Sequence, residues 1–186
     1  MGSSPPTHIP TRCVLVAVDF SAEADAAVDL GATLAEGMGL PLTLLHVVHD
    51  PSHAPGFYNL SERLGDKARK HEKRWEKRAR TMVGAAEEML SAYLARRREA
   101  EPERAILSEA EVALVAGTPA NRIVEVAHER DARMIVMGSR GRGALSGILL
   151  GSTAHRVVHL SRVPVTLVKA DPPEPAKRDA RKEESA

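Results

Sequence analysis

Five short apolar runs recur along the chain, and a stretch with helical spacing separates each from the next. The runs are "CVLVAVD" (13–19), "LTLLHVV" (42–48), "EAEVALVAG" (109–117), "ARMIVMG" (132–138) and "VPVTLVK" (163–169). Such short, β-branched runs read as strands buried on both faces. Strands that alternate with helices imply a parallel sheet with helices packed on each side and right-handed crossovers. The expectation is therefore α/β: a single-domain, open, five-stranded parallel sheet with helices on both faces. Periodicity does not contain the order of the strands.

The intervening segments carry helix punctuation. Ser21 is placed to N-cap the first helix, Glu23 and Asp25 put negative charge in its first turn, and Gly37 or Gly39 ends it. Ala24, Ala27, Leu30, Gly31 and Leu34 mark its packed face. Pro51, Pro55 and Gly56 then break regular structure. One long helical pattern runs from about Ser61 to Arg98, with Leu64, Ala68, Trp75, Ala79, Met82, Ala86, Leu90 and Tyr93 as its apolar stripe. Thr118 as N-cap and Pro119 at the first helical position start the next helix, whose inner face is Ile123, Val124 and Ala127. A last helix runs to about Leu160.

A chain of 186 residues suits one domain and needs no covalent staples. The boundaries read as a flexible leader over 1–10, a domain over 11–170 with a long helical insert at about 51–100, and a proline- and charge-rich disordered tail over 171–186. The only cysteine, Cys13, lies in an apolar run, reads as a small core residue, and suits a reducing cytoplasmic setting. A net charge of +1 gives no global argument for nucleic acid or a membrane, and neither is expected as a partner. No apolar run approaches the roughly 20 residues of a spanning helix.

The stretch "GSRGRGALSGILLGST" (138–153) holds five glycines directly after the fourth apolar run. Glycine allows positive φ and lets a ligand come close to the main chain. In open parallel sheets ligands bind beyond the carboxyl ends of the strands, where the strand order reverses. If the first and fourth strands are neighbours there, the glycine loop and the Asp19–Ser21 strand end share one crevice. Loop amides could then cradle phosphates, Ser152 and Thr153 would present hydroxyls at a helix N-terminus, and Arg140 and Arg142 would add charge at the rim. A sharp strand-to-helix turn capped by Ser152 accounts for the glycines equally well. Two better-known phosphate motifs fail: no lysine precedes the hydroxyls of "GILLGST", and "GRGALS" follows the fourth strand rather than the first.

What fits is Gly138, two residues, Gly141, nine residues, then Gly151-Ser152. This pattern resembles the G-x2-G-x9-G-[ST] signature of the ATP-binding branch of the universal stress protein family. Further blocks resemble the family in order: "VLVAVDFSAEADAAVDLGATLA", "LTLLHVV", "VAGTPANRIVEVAHERDARMIVMGSRG" and "VVHLSRVPVTLVK". The resemblance covers about residues 11 to 169, interrupted by the long helix, and departs at Ala132-Arg133, where an acidic residue is more usual. It implies a Rossmann-like fold of the adenine nucleotide alpha hydrolase-like kind. It places the adenosine end near Ala17, Val18 and Asp19, with the Val47 main chain reading the adenine edge. The phosphates would fall among Met137, Gly138, Arg140, Gly141, Gly151, Ser152 and Thr153, with Mg²⁺ or Mn²⁺ held through them. It also implies a nucleotide-responsive switch, a homodimer joined through strand 163–169, and a protein partner that the sequence does not identify. The alternatives are a slow ATPase or phosphotransferase, and an interaction protein that binds AMP, cyclic AMP or no nucleotide.

Other features read as structural. Residues 61–80 hold nine basic residues against four acidic ones, which suits a solvated helix face, with Trp75 as its anchor. Of the clustered histidines, alternation points His46 and His49 to opposite faces, with His53 beyond them. His155 and His159 lie one turn apart without an evident third ligand, so no metal site is expected.

Overall fold

The first strand, β1 (Val14–Ala17), lies mid-sheet, paired in parallel on one side with β2 (Leu42–His49) and on the other with β4 (Met134–Gly138). Beyond them β3 (Glu111–Gly117) flanks β2 and β5 (Val165–Val168) flanks β4, so the all-parallel order is β3-β2-β1-β4-β5. The computed structural model describes residues 12–49, 66–141 and 150–170, and for 66–80 the backbone helix alone. The expected leader and tail, the break at Pro51, Pro55 and Gly56, His53, Leu64 and Arg142 lie outside the described residues, as do the side chains of Ala68, Trp75 and Ala79.

The alternating pleat divides the core in two. Val14, Val16, Leu42, Leu44 and Val136 face α1 (Ala22–Met38), α2 (Asp66–Ala100) and α3 (Ala105–Ser108). Cys13, Leu15, Leu45, Ile135 and Met137 face α4 (Pro119–Glu129) and α5 (Ser152–Leu160). Full burial of each such side chain contributes roughly 1.5–3 kcal/mol. Both faces of the sheet are therefore covered, as the apolar runs require.

Local chemistry accounts for most boundaries. Ser21 Oγ accepts from the Ala24 amide at 3.2 Å, and Gly39 closes α1 in the left-handed region at φ 62°. The packed face of α1 is wider than the spacing suggested. Glu23, Val28, Ala32 and Ala35 are buried with Ala24, Ala27 and Gly31, whereas Leu30 and Leu34 are only partly covered. Along α2, Ala86, Leu90, Tyr93 and Leu94 are buried, but Met82 is exposed. Arg97 anchors α2 to Asp29 of α1, and Arg104 reaches Glu36 of α1 at 3.3 Å. Thr118 does sit at the N-cap of α4 with Pro119 following, yet its side chain makes no capping bond. Gly151, not Ser152, is the N-cap of α5.

Four of the strands are shorter than the apolar runs that encode them. In β1 the ladder ends at Ala17 because the Val18 carbonyl turns to the His46 ring at 2.7 Å and Phe20 adopts φ 63°. Before β4, Asp131 takes φ 49° and Ala132 bonds back to the carbonyl of Ala127.

Candidate functional site

The strand order reverses between β1 and β4, one leading to β2 and β3, the other to β5. The chains leaving the two strands diverge there and open a crevice of about 660 Å³. That volume lies within the roughly 300–1,000 Å³ usual for small-molecule sites. All eleven residues singled out from the sequence line it: Ala17, Val18, Asp19, Val47, Met137, Gly138, Arg140, Gly141, Gly151, Ser152 and Thr153. His46, Pro119, Ile123, Ser139, Leu150 and His155 line it as well. One wall is thus apolar strand edge, and the other is glycine loop and helix terminus.

Asp19 is held in place from its own side. Its Oδ1 accepts from the Ser21 amide at 3.1 Å and from the Ser21 hydroxyl at 2.6 Å, which ties the strand end to the cap of α1. Between them Phe20 occupies the left-handed region, at a strain of order 1–2 kcal/mol for a residue with a side chain. Its ring packs 4.6 Å from His46 and 5.6 Å from Tyr93, which offsets that strain.

The loop leaving β4 is fastened by three elements. The Ser139 amide donates to the Val168 carbonyl of β5 at 2.7 Å, and its carbonyl accepts from the Gly151 amide at 2.8 Å. Its hydroxyl donates to Glu23 Oε2 at 3.0 Å. Arg140 follows with its amide on Glu23 Oε2 at 2.6 Å and its Nε on Oε1 at 2.7 Å. Glu23 is only 7% exposed. Burial works against its charge, but the Arg140 amide and guanidinium and the Ser139 hydroxyl together outweigh this and hold the carboxyl below its ordinary range.

Two expectations change as a result. Arg140 is not a bare cation at the rim, because its guanidinium neutralises Glu23. The amides of Arg140 and Gly151, expected to serve phosphates, are already bonded within the protein. The first turn of α5 provides the alternative. Gly151 makes no side-chain cap, and the amides of Ser152, Thr153 and Ala154 precede the first residue that bonds back, His155 onto Gly151 at 2.9 Å. The sequence reading places Glu23 only as negative charge in the first turn of α1, and no local signal in the sequence shows that this carboxylate is buried against the loop.

The loop glycines are explained by crowding rather than by handedness, since none of the three described ones has φ in the left-handed region. A Cβ on Gly141 would stand 2.7 Å from Asp19 Oδ2, and one on Gly138 would stand 2.9 Å from the Cβ of Glu23. Of the histidines, His46 is half-buried at the crevice, while His49, His155 and His159 are exposed. Among the described residues no group of three or more His, Cys, Asp or Glu side chains could hold a metal ion, and no helix is long and apolar enough to cross a membrane.

The comparisons with known proteins agree with this architecture. The family model "Universal stress protein family" matches residues 10–169. A universal stress protein of Mycobacterium tuberculosis is 34% identical over 164 residues, which is 85% of this chain and 48% of that protein. This chain thus spans about half the length of the mycobacterial relatives it matches. Universal stress protein YxiE of Bacillus subtilis is 31% identical over 160 residues, 84% of this chain and 97% of its own length. Among solved structures, universal stress protein UspA from Lactobacillus plantarum superposes with a TM-score of 0.60 at 20% identity, covering 84% of this chain and 98% of that one. On the match along nearly its whole length, the chain belongs to the universal stress protein family.

Proposed function

We propose that the crevice binds an adenine nucleotide, ATP, and that its occupancy sets the state of a regulatory switch. One observation carries this reading: Asp19, Gly141 and the N-terminus of α5, which no described side chain caps, converge on one crevice where the strand order reverses. A carboxylate at one end suits ribose hydroxyls, and amides with a favourable dipole at the other suit phosphates. The apolar walls from Ala17, Val47 and Met137 suit the base, and the volume suits a nucleotide. Bound ATP would supply its charged triphosphate, with Mg²⁺ or Mn²⁺ carried through the phosphates.

Holding ATP is favoured over turning it over. Among the described residues Asp19 and Arg140 are the Asp and Arg side chains that line the crevice, and Ser21 and Glu23 respectively hold them. The switch then works by differential affinity, each tenfold preference of ATP for one state shifting the equilibrium by about 1.4 kcal/mol. β5 is an edge strand with all four residues half-buried, which supports pairing with a second copy as the dimer contact. The single cysteine, buried in the core, supports a cytoplasmic setting.

The test is native mass spectrometry of fresh protein, then calorimetric titration with ATP, ADP, AMP and cyclic AMP in Mg²⁺. One ATP per chain, bound tighter than AMP, is the expected result. A folded protein that takes none of the four would reduce the loop to a turn.

A further inference from the structure

We infer that Glu23 of α1 is a positioning residue for the phosphate end of the crevice, holding Ser139 and Arg140 so that Gly141 and the first turn of α5 are set to face the ligand. The inference rests on the nucleotide-binding reading of that crevice. An acidic residue in the first turn of a helix gains from the dipole while fully solvated. Glu23 is buried instead, and an unpaired buried carboxylate would cost several kcal/mol. Three donors from two consecutive loop residues offset this: Ser139 Oγ at 3.0 Å, Arg140 N at 2.6 Å and Arg140 Nε at 2.7 Å.

Both of those residues stand where the loop's path is decided. Ser139 also bonds Val168 and Gly151, so Glu23 completes a junction of α1, β5 and the start of α5. The Cβ that Gly138 lacks would meet the Cβ of Glu23 at 2.9 Å, so the helix and the strand end touch without slack. Because Glu23 takes the Arg140 charge and amide inward, anion recognition passes to Gly141 and the first turn of α5. Without the carboxylate, the Arg140 amide and guanidinium lose their partner, and only the main-chain bonds of Ser139 to Val168 and Gly151 still fasten the loop head.

A carboxylate with only a structural role would alter stability, or weaken all ligands alike. A positioning role acts on the phosphates selectively. ATP and adenosine are therefore titrated calorimetrically against the full-length wild type, Glu23→Gln and Glu23→Ala, and amide exchange at Arg140 is followed by NMR. For Glu23→Ala, ATP affinity falls by at least about tenfold, the equivalent of one lost net hydrogen bond to a charged group, while adenosine affinity holds. Glu23→Gln, which keeps the volume and part of the bonding, falls between and carries the comparison if the alanine variant does not fold. The Arg140 amide is protected in wild type and exchanges faster in both variants. Unchanged ATP affinity in both variants, or equal losses for ATP and adenosine, overturns the inference. If wild type binds neither ligand, the nucleotide reading fails separately. The hold is then judged on Arg140 exchange alone, and a rate unaltered in both variants overturns it.

Discussion

Replacing Gly141 by valine separates the loop's role in binding from its role in the fold. The new Cβ would lie 2.7 Å from Asp19 Oδ2, closer than Cβ atoms approach a neighbour, so one of the two must shift. Asp19 resists, since two hydrogen bonds from Ser21 hold it. Gly141 is exposed and yields more readily, so the loop retreats and the fold loses no more than about 1 kcal/mol, a fall in Tm of about 2–4 °C. Binding suffers more. A valine side chain beside Asp19 would displace the proposed phosphates from their donors, and a hydrogen bond to a charged group is worth about 1.5–3 kcal/mol. ATP affinity should therefore fall by about 10- to 150-fold. Calorimetric titration measures this, with thermal unfolding as the control for folding. A folded variant with wild-type ATP affinity would refute the cradle. A collapse in Tm would instead make Gly141 a structural residue.

Three other outcomes follow from particular contacts. Glu23, with its carboxyl held low by Arg140 and Ser139 against the opposing effect of burial, stabilises the fold above the ordinary glutamate range, and that contribution disappears as pH falls through its depressed folded value. The Tm advantage of wild type over Glu23→Gln should accordingly be full at pH 7 and shrink in acid; a constant difference from pH 7 to pH 3 would contradict it. Gly31→Ala would set a Cβ 2.3 Å from Val16 Cγ2, a fully buried methyl, and overpacking of roughly 1–3 kcal/mol should exceed the helix-propensity gain of about 1 kcal/mol. A rise in Tm would show that α1 has room to move. If β5 joins two copies as proposed, wild type should sediment as a dimer and Thr166→Lys, which puts a charge on this edge strand, as a monomer; a variant that sediments like wild type would refute the β5 contact.

How much of this was legible depends on the range of the interactions involved. Each of the five strands was readable, because sandwiching between two helical layers demands an uninterrupted apolar run, and Leu15, Leu45 and Ile135 are what such a run encodes. Caps were readable where they are local: Ser21 reaches Ala24 three residues on. Strand ends were not, because they depend on partners distant in sequence, as when His46 takes the Val18 carbonyl. The short α3 was missed since four residues contain no period.

The crevice illustrates the same division. Its lining was readable because the glycine spacing and the strand-end aspartate are features of single segments, and the order β2-β1-β4 brings them together. Its electrostatics were not. Arg140 on a glycine-rich loop looks like a cation offered to a ligand, and only the fold reveals that a carboxylate 117 positions earlier has already claimed it. A charge read from sequence carries a sign but no partner, and at 2.7 Å the partner decides what the charge is for. If the crevice binds an anion as proposed, then among the described residues the first-turn amides of α5, which no described side chain caps, suit it better than Arg140, and a nucleotide held that way should depend on the loop geometry more than on the Arg140 charge.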